Sequence, residues 1–196
     1  MQIRKGTLVD NKEAWERFVS GEDKYFKEIF SGYYNTMFGY GVKLSDRPEL
    51  VKDCIQELFR DIWERRADLE HIESSNVYLF VSLRRKILKR LKSQRRIDSN
   101  LSEMDESASI HFGMEDIIIN DEIRFQQKKK LQEALNQLSN RQKEIVYLHF
   151  YNGMSYGEIE QILSINRQSV RNHMCQAMGS LRTLLNPEYM KLLVSY

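Results

Sequence analysis

Arg167, Gln168, Ser169, Arg171, Asn172 and Gln176 lie within ten consecutive positions of this 196-residue chain. Arg, Asn and Gln are the side chains that make paired hydrogen bonds to base edges in the major groove of DNA. From Glu160 to Glu188 no acid intervenes, while Arg167, Arg171 and Arg182 do. A helix surface without acids approaches phosphate without repulsion. The chemistry available here is recognition of nucleic acid. A solvated polar face on a helical hairpin is the plainer alternative.

The flanking residues decide how such side chains are held. Ser155 and Glu158 form a capping box that starts a helix. Ile159, Ile162 and Leu163 give that helix one apolar face. Ser164, Ile165 and Asn166 make a short turn, with Asn166 as the next N-cap. The following helix has Val170, Met174, Ala177, Leu181 and Leu184 on one stripe. At about 100° per residue, Gln168, Arg171, Asn172 and Gln176 take the opposite face, flanked by Ser169 and Cys175. Two short helices around a tight turn are a helix-turn-helix. Its second helix meets bases with its N-terminal part, where these residues cluster. The doubled caps, the turn and the missing acids together weigh against the hairpin alternative.

A second basic element lies upstream. Arg84, Arg85, Lys86, Lys89, Arg90, Lys92, Arg95 and Arg96 crowd one predicted helix, with no acid from Tyr78 to Arg96. Phe80, Leu83, Ile87 and Leu91 face inward. A membrane-surface helix, a partner-peptide helix and a solvated face are open readings. Beside a separate helix-turn-helix, contact with DNA phosphates is the stronger one.

Composition sets the frame. Net charge is +2, so the distribution of charge matters more than its sum. Cys54 and Cys175 stand far apart with no C-x-x-C partner, which offers neither a zinc signature nor a disulfide framework and suits a reducing cytoplasm. The first residues lack the apolar run of a signal peptide. No stretch approaches the roughly 18 apolar residues of a membrane span. Gly and Pro are scarce and apolar residues recur at helical spacing, so the expected class is all-α.

Along the chain, Asp10 and Glu13 are candidate caps for a first helix bearing Trp15, Phe18 and Val19, interrupted at Gly21. A second helix is predicted from Asp23 to Phe38, with Tyr25, Phe26, Ile29, Phe30, Tyr33, Met37 and Phe38 as its apolar face; Gly39, Gly41 and the Ser45-Asp46-Arg47-Pro48 cluster end it and start the next helix. A third spans Pro48 to Arg66, with Val51, Ile55, Leu58, Phe59 and Ile62 inward and Trp63 near its end. A loop, Ala67 to Ser75, leads to the basic helix, Asn76 to Arg96. From Arg96 to Arg124 the acids Asp98, Glu103, Asp105, Glu106, Glu115, Asp116, Asp121 and Glu122 occur without Lys or Arg. This predicts an acidic linker, with a short helix near Met114 to Ile119. Leu131, Ala134, Leu135 and Leu138 mark the next helix. Ser139 and Gln142 cap another, running to Gly153. The expected organisation is a helical domain over 10–96, a linker over 97–125 and a helix-turn-helix domain over 126–187.

The order and spacing of these features resemble the bacterial sigma factors of the extracytoplasmic-function type, a two-domain branch of the sigma-70 family. Asp53-Cys-Ile-Gln56-Glu57-Leu-Phe59 followed by Trp63 is similar to the family's D-x-x-Q-E-x-F-x-x-x-W helix. Tyr78-Leu79-Phe80 through Arg84 resembles the segment that meets the −10 promoter element. Leu138-Ser-x-Arg141-Gln-x-x-Ile145 and Tyr156-x-Glu158-Ile159 through Val170-Arg171-Asn172-His173 resemble the −35-binding domain. Lys52 stands where the family usually has an acid, and Arg85 where it often has Asn.

The resemblance implies that the third helix docks on the clamp helices of the largest subunit of core RNA polymerase. Asp53, Gln56 and Glu57 are then polar contacts and Trp63 a packing or melting residue. The basic helix, through Arg84, Arg85, Lys86, Lys89, Arg90 and Lys92, meets the −10 element. The loop from His71 to Asn76 holds a flipped base. An ordinary solvated face remains the alternative for Asp53 and Glu57. The implied partners are core polymerase, promoter DNA and an anti-sigma factor, in the cytoplasm, with no small-molecule substrate. His71, His111, His149 and His173 are scattered without metal-ligand spacing, and no Gly-rich phosphate loop occurs. No enzyme, metal or cofactor is expected. The competing functions are a stand-alone helix-turn-helix regulator with an N-terminal sensing domain, and an adaptor that uses the basic helix to bind acidic proteins or membrane.

Overall fold

The computed structural model describes residues 12–98, 110–113 and 123–185. Asp10 and the expected short helix near Met114 to Ile119 lie outside the described residues. Eight α-helices occur among those described, and no strand. They are α1 (Lys12–Val19), α2 (Lys24–Ser45), α3 (Pro48–Glu64), α4 (Ser75–Asp98), α5 (Ile123–Gln137), α6 (Asn140–Val146), α7 (Tyr156–Leu163) and α8 (Arg167–Leu184). A short 3-10 turn, Arg66–Leu69, follows α3, and a π-helical turn, Tyr147–Tyr151, continues α6. The chain divides into two compact units, the first holding α1–α4 and the second residues 110–113, α5, α6, α8 and the start of α7.

The core of the first unit follows the helical spacing of its apolar residues. Phe18 from α1, Ile29, Tyr33, Met37 and Tyr40 from α2, Val51, Ile55 and Ile62 from α3, and Leu79, Phe80, Leu83 and Ile87 from α4 are all buried. Tyr40 packs its ring 5.4 Å from that of Phe80. The Tyr33 hydroxyl and Ser75 Oγ, 3.0 Å apart, satisfy each other inside the fold.

The second helix passes the expected limit at Phe38 and ends only at the Ser45-Asp46-Arg47-Pro48 cluster. Gly39 and Gly41 do not stop α2, which runs on to Ser45 and ends where Asp46 adopts a left-handed conformation with φ 50°. The reason is packing. A Cβ on Gly41 would lie 2.5 Å from Val51 Cγ1 and 3.1 Å from Ile87 Cδ1. Gly41 lets α3 and α4 close on α2. Pro48 then opens α3 at a position where its missing N–H costs nothing. The predicted loop from Ala67 to Ser75 contains the 3-10 turn, and α4 begins at Ser75.

In the second unit the expected caps form. Ser139 Oγ accepts the Gln142 N–H, and Gln142 Oε1 accepts the Ser139 N–H at 3.0 Å. The helix opened there does not run regularly to Gly153. At Tyr147 it widens into the π-helical turn, closed by the Asn152 N–H on the Tyr147 carbonyl. The widening stacks Tyr147 on Tyr151, ring centroids 5.0 Å apart and nearly parallel. Phe112 packs against both rings. Residues 110–113, from the segment expected to be linker, are thus seated in the second unit, with Ile110 and Phe112 buried. Helices also extend into the range expected as linker, at Ile97–Asp98 and from Ile123.

Two glycines inside helices, Gly41 and Gly179, differ sharply in surroundings, and this gives a paired stability test. Gly41→Ala should destabilise the protein by about 1–3 kcal/mol through overpacking against Val51. Gly179, in α8, has open space where a Cβ would go. Gly179→Ala should stabilise by about 0.5–1 kcal/mol from helix propensity. Chemical denaturation of both variants checks the pair, and equal effects would remove the packing explanation for Gly41.

Candidate nucleic-acid interface

Local hydrogen bonds build the helix-turn-helix. The Ser155 N–H donates to Glu158 Oε2 at 2.8 Å, and the Glu158 N–H donates to Ser155 Oγ at 3.3 Å. Both halves of the capping box are therefore present. Ser164 turns the chain with φ 53°. Asn166 Oδ1 then accepts the Ser169 N–H at 2.7 Å and caps α8. Ile159, Ile162 and Leu163 of α7 and Val170, Met174, Ala177 and Leu181 of α8 are buried. Leu184 was expected on that stripe but is exposed. The chain becomes extended at Leu185, φ −127° and ψ 142°, and Leu185 is the buried residue.

The opposite face of α8 is open. Arg167, Gln168, Arg171, Asn172, Cys175 and Gln176 are exposed, and Ser169 is half-buried. Gln168 Nε2 donates to Asn172 Oδ1 at 2.9 Å, so two amides one turn apart stand in a row. Gln176 Oε1 accepts weakly from Gln142 Nε2 at 3.4 Å. Among the described residues Arg171 has neither an ion-pair nor a hydrogen-bond partner. A row of amides beside an unpaired guanidinium can form paired hydrogen bonds to purine edges.

The basic helix divides its cations between two faces. Phe80, Leu83 and Ile87 point into the core, and Leu91 is half-buried. On the flank toward α3, Lys86 Nζ lies 2.7 Å from Asp61 Oδ2 and 4.0 Å from Glu57 Oε2. Arg90 pairs with Glu57 and lies 3.8 Å from Asp53 Oδ2. Asp53, Glu57 and Asp61 are one turn apart on α3, as Lys86 and Arg90 are on α4, so the two rows meet. The structure thereby joins Asp53 and Glu57, expected at a polymerase surface, to Lys86 and Arg90, expected at DNA. Arg85 and Lys89, on the outer side of α4, are exposed and have no ionic or hydrogen-bond partner among the described residues. Lys92 is exposed and Arg84 half-buried, and both make further contacts.

Other expected residues separate by position. Gln56 is exposed on α3 beside Asp53. Trp63 is 41% exposed, its ring edge-on to Phe26 at 4.9 Å, with the Arg66 guanidinium over it at 5.7 Å. It is a packing residue with one open face. In the segment from His71 to Asn76, Ser75 and Asn76 are buried in the first turn of α4, so only its earlier residues face outward. Burial pushes the Cys54 thiol above its ordinary pKa, which suits an inert core residue. His149 Nδ1 lies 2.8 Å from the Met154 carbonyl, a structural contact. No group of three His, Cys, Asp or Glu that could hold a metal occurs among the described residues. No helix among them is long and apolar enough to cross a membrane.

Sequence reasoning missed Asp61. It carries no motif of its own, and only its spacing of one turn from Glu57 could have suggested it.

Residues 128–181 match the family model described as Sigma-70, region 4. The chain is 21% identical over 181 residues to the ECF RNA polymerase sigma factor SigK of Mycobacterium tuberculosis (strain ATCC 25618 / H37Rv), covering 91% of this chain and 96% of that protein. It is 20% identical over 182 residues to SigK of Mycobacterium ulcerans (strain Agy99), covering 92% and 96%. Among solved structures it is similar to CnrH in complex with the cytosolic domain of CnrY, with TM-score 0.59, 15% identity and coverage of 89% and 96%. It is also similar to the sigma factor RpoE in complex with the anti-sigma factor NepR from Bartonella quintana, with TM-score 0.58, 21% identity and coverage of 82% and 96%.

The charged rows on α3 and α4 are partly exposed, so each pair is worth little by itself. A double-mutant cycle of Asp61→Ala and Lys86→Ala should give a coupling of about 0.5–1 kcal/mol at low salt. The coupling should shrink in molar salt, where the screening length falls to about 3 Å. A coupling of zero at low salt would show that the rows merely pass each other.

Proposed function

We infer that this chain is a sigma factor of the extracytoplasmic-function type, within the sigma-70 family. It binds core RNA polymerase and directs promoter recognition and transcription initiation at −10 and −35 elements. Its partners are core polymerase, promoter DNA and an anti-sigma factor. Its work is binding and strand separation, carried out in the cytoplasm without a catalytic constellation. The observation that carries this reading is the open face of α8, an acid-free row of amides beside unpaired Arg171, within residues that match sigma-70 region 4.

In detail, Arg167, Gln168, Ser169, Arg171, Asn172 and Gln176 meet the −35 element, with Arg171 reading a base. In α4 the outward cations Arg85 and Lys89, with Arg84 and Lys92, meet DNA near the −10 element. Lys86 and Arg90 contribute less there, because the carboxylates of α3 hold them. On α3, Asp53, Gln56 and Glu57 face the clamp helices of the largest polymerase subunit, and Trp63 presents its open face beside them. A stand-alone regulator is not favoured: it would leave the α3 motif without a partner.

Transcription reconstituted from purified core polymerase and a promoter library tests the reading. Arg171→Ala should lower discrimination at one base pair by about 1–3 kcal/mol while sparing overall binding. Equal losses on all sequences would reduce Arg171 to a phosphate contact.

The division of cations on α4 has its own signature. Lys89→Ala should flatten the dependence of log affinity on log salt by about 0.9 on duplex DNA, or about 0.7 if the contact is to a single strand. Lys86→Ala should leave that slope nearly unchanged. Titration of promoter DNA with holoenzyme across a salt series measures both.

A further inference from the structure

We propose that Gln168 and Asn172 act as one unit on α8: Asn172 recognises an adenine of the −35 element, and Gln168 is the positioning residue that holds its amide for adenine and against guanine. The inference rests on the sigma-factor reading above and adds the base. Gln168 Nε2 donates to Asn172 Oδ1 at 2.9 Å, an ordinary length for such a bond. The two residues are exposed and one turn apart, in the first two turns of α8. That is the part of a recognition helix that meets bases. The Asn166 cap on the Ser169 N–H fixes the backbone just where the pair stands. Gln176, farther along the same face, is held less firmly, because its oxygen accepts from Gln142 only at 3.4 Å.

The donors and acceptors left over select the base. A side-chain amide has two acceptor sites on its oxygen and two donors on its nitrogen. Asn172 uses one acceptor site on Gln168, and among the described residues it has no other hydrogen-bond partner. One acceptor site and two N–H donors remain, side by side on an exposed edge. Adenine shows the major groove an N6–H donor beside the N7 acceptor, whereas guanine shows two acceptors, O6 and N7. The held amide therefore meets adenine with two hydrogen bonds, Oδ1 accepting from N6–H and Nδ2 donating to N7. Guanine would set O6 against Oδ1, oxygen against oxygen. To answer guanine, Asn172 must turn both N–H groups toward it and carry Oδ1 away, and the bond from Gln168 opposes that swing. The same bond restricts the Asn172 side chain before DNA arrives, so less freedom is lost on binding.

The test captures a promoter library, randomised through the −35 element, on the full chain in the presence of core polymerase, and sequences what is bound. At one position the unmodified chain should prefer adenine to guanine by about 5- to 150-fold, the span of a good bidentate contact. Asn172→Ala should flatten that position and no other. Gln168→Ala should keep adenine-containing sites bound while the adenine-to-guanine ratio at the same position falls at least about fivefold. Preferences elsewhere, including the one lost in Arg171→Ala, should stay, whereas a merely structural Gln168 would weaken every position alike. Placing 7-deazaadenine, which has C–H in place of N7, at that position should weaken binding by the unmodified chain and leave Asn172→Ala unaffected. Both residues are exposed, so neither substitution disturbs the core. Losses at two different base pairs in the two variants would overturn the proposal, as would indifference of the unmodified chain to 7-deazaadenine. Transcripts from the captured promoters separate this inference from the reading beneath it. Transcription without an adenine preference sinks the amide pair alone. An adenine preference without transcription sinks the sigma-factor reading alone, and capture of no sequence sinks both.

Discussion

Helix α4 has to be cationic and buried at once, and the first unit is arranged around that constraint. Its inner stripe, Phe80, Leu83 and Ile87, supplies core contacts from three successive turns. Its outer stripe, Arg85 and Lys89, must reach solvent. The flank between them cannot be apolar without widening the core, nor unpaired without crowding like charges. The carboxylates of α3 resolve the conflict, with Asp61 and Glu57 against Lys86 and Glu57 and Asp53 against Arg90. Pairs this exposed contribute little net energy. Their role is register: a slide of α3 along α4 by one turn would leave a carboxylate or an ammonium unmatched.

That register also links two tasks. The same α3 helix that carries Asp53, Gln56 and Glu57, proposed above to face polymerase, holds Lys86 and Arg90 in place on α4. A partner that drew the carboxylates away would free two cations on α4, the helix proposed above to meet DNA. Gly41 makes the arrangement possible, because the backbone of α2 comes close enough to touch Val51 of α3 and Ile87 of α4. The close approach of three helices is what leaves α4 only one free side.

The second unit is organised differently, by satisfaction of backbone groups at helix ends. Three caps, at Ser139, Ser155 and Asn166, absorb N–H groups that would otherwise be orphaned. Asn136 and Gln132 extend the same logic to a passing segment of chain. From this capped frame α8 presents its amides and Arg171.

Helix-turn-helix geometry was legible in the sequence because each of its signals is local. A capping box spans four residues, and an apolar stripe repeats every three or four. Hence the reading of α7, the turn, α8 and the exposed face of α8 needed no distant contact. The all-α class and the inward faces of α3 and α4 were legible for the same reason. Three features were not. Gly39 and Gly41 read as helix breakers, yet Gly41 is helical because residues ten and forty-six positions away press on it. Ile110 and Phe112 look too few, among so many acids, to fold, yet both are buried, and the amides of α5 and the stacked tyrosines receive Phe112. The acids of α3 and the bases of α4 each read as a face awaiting a partner. The amino-acid sequence by itself determined where helices begin, which residues cap them and which face of each is apolar. Only the tertiary structure decided which charged faces meet, because that depends on how closely three helix backbones approach, and approach is set by side-chain volume far away in the chain.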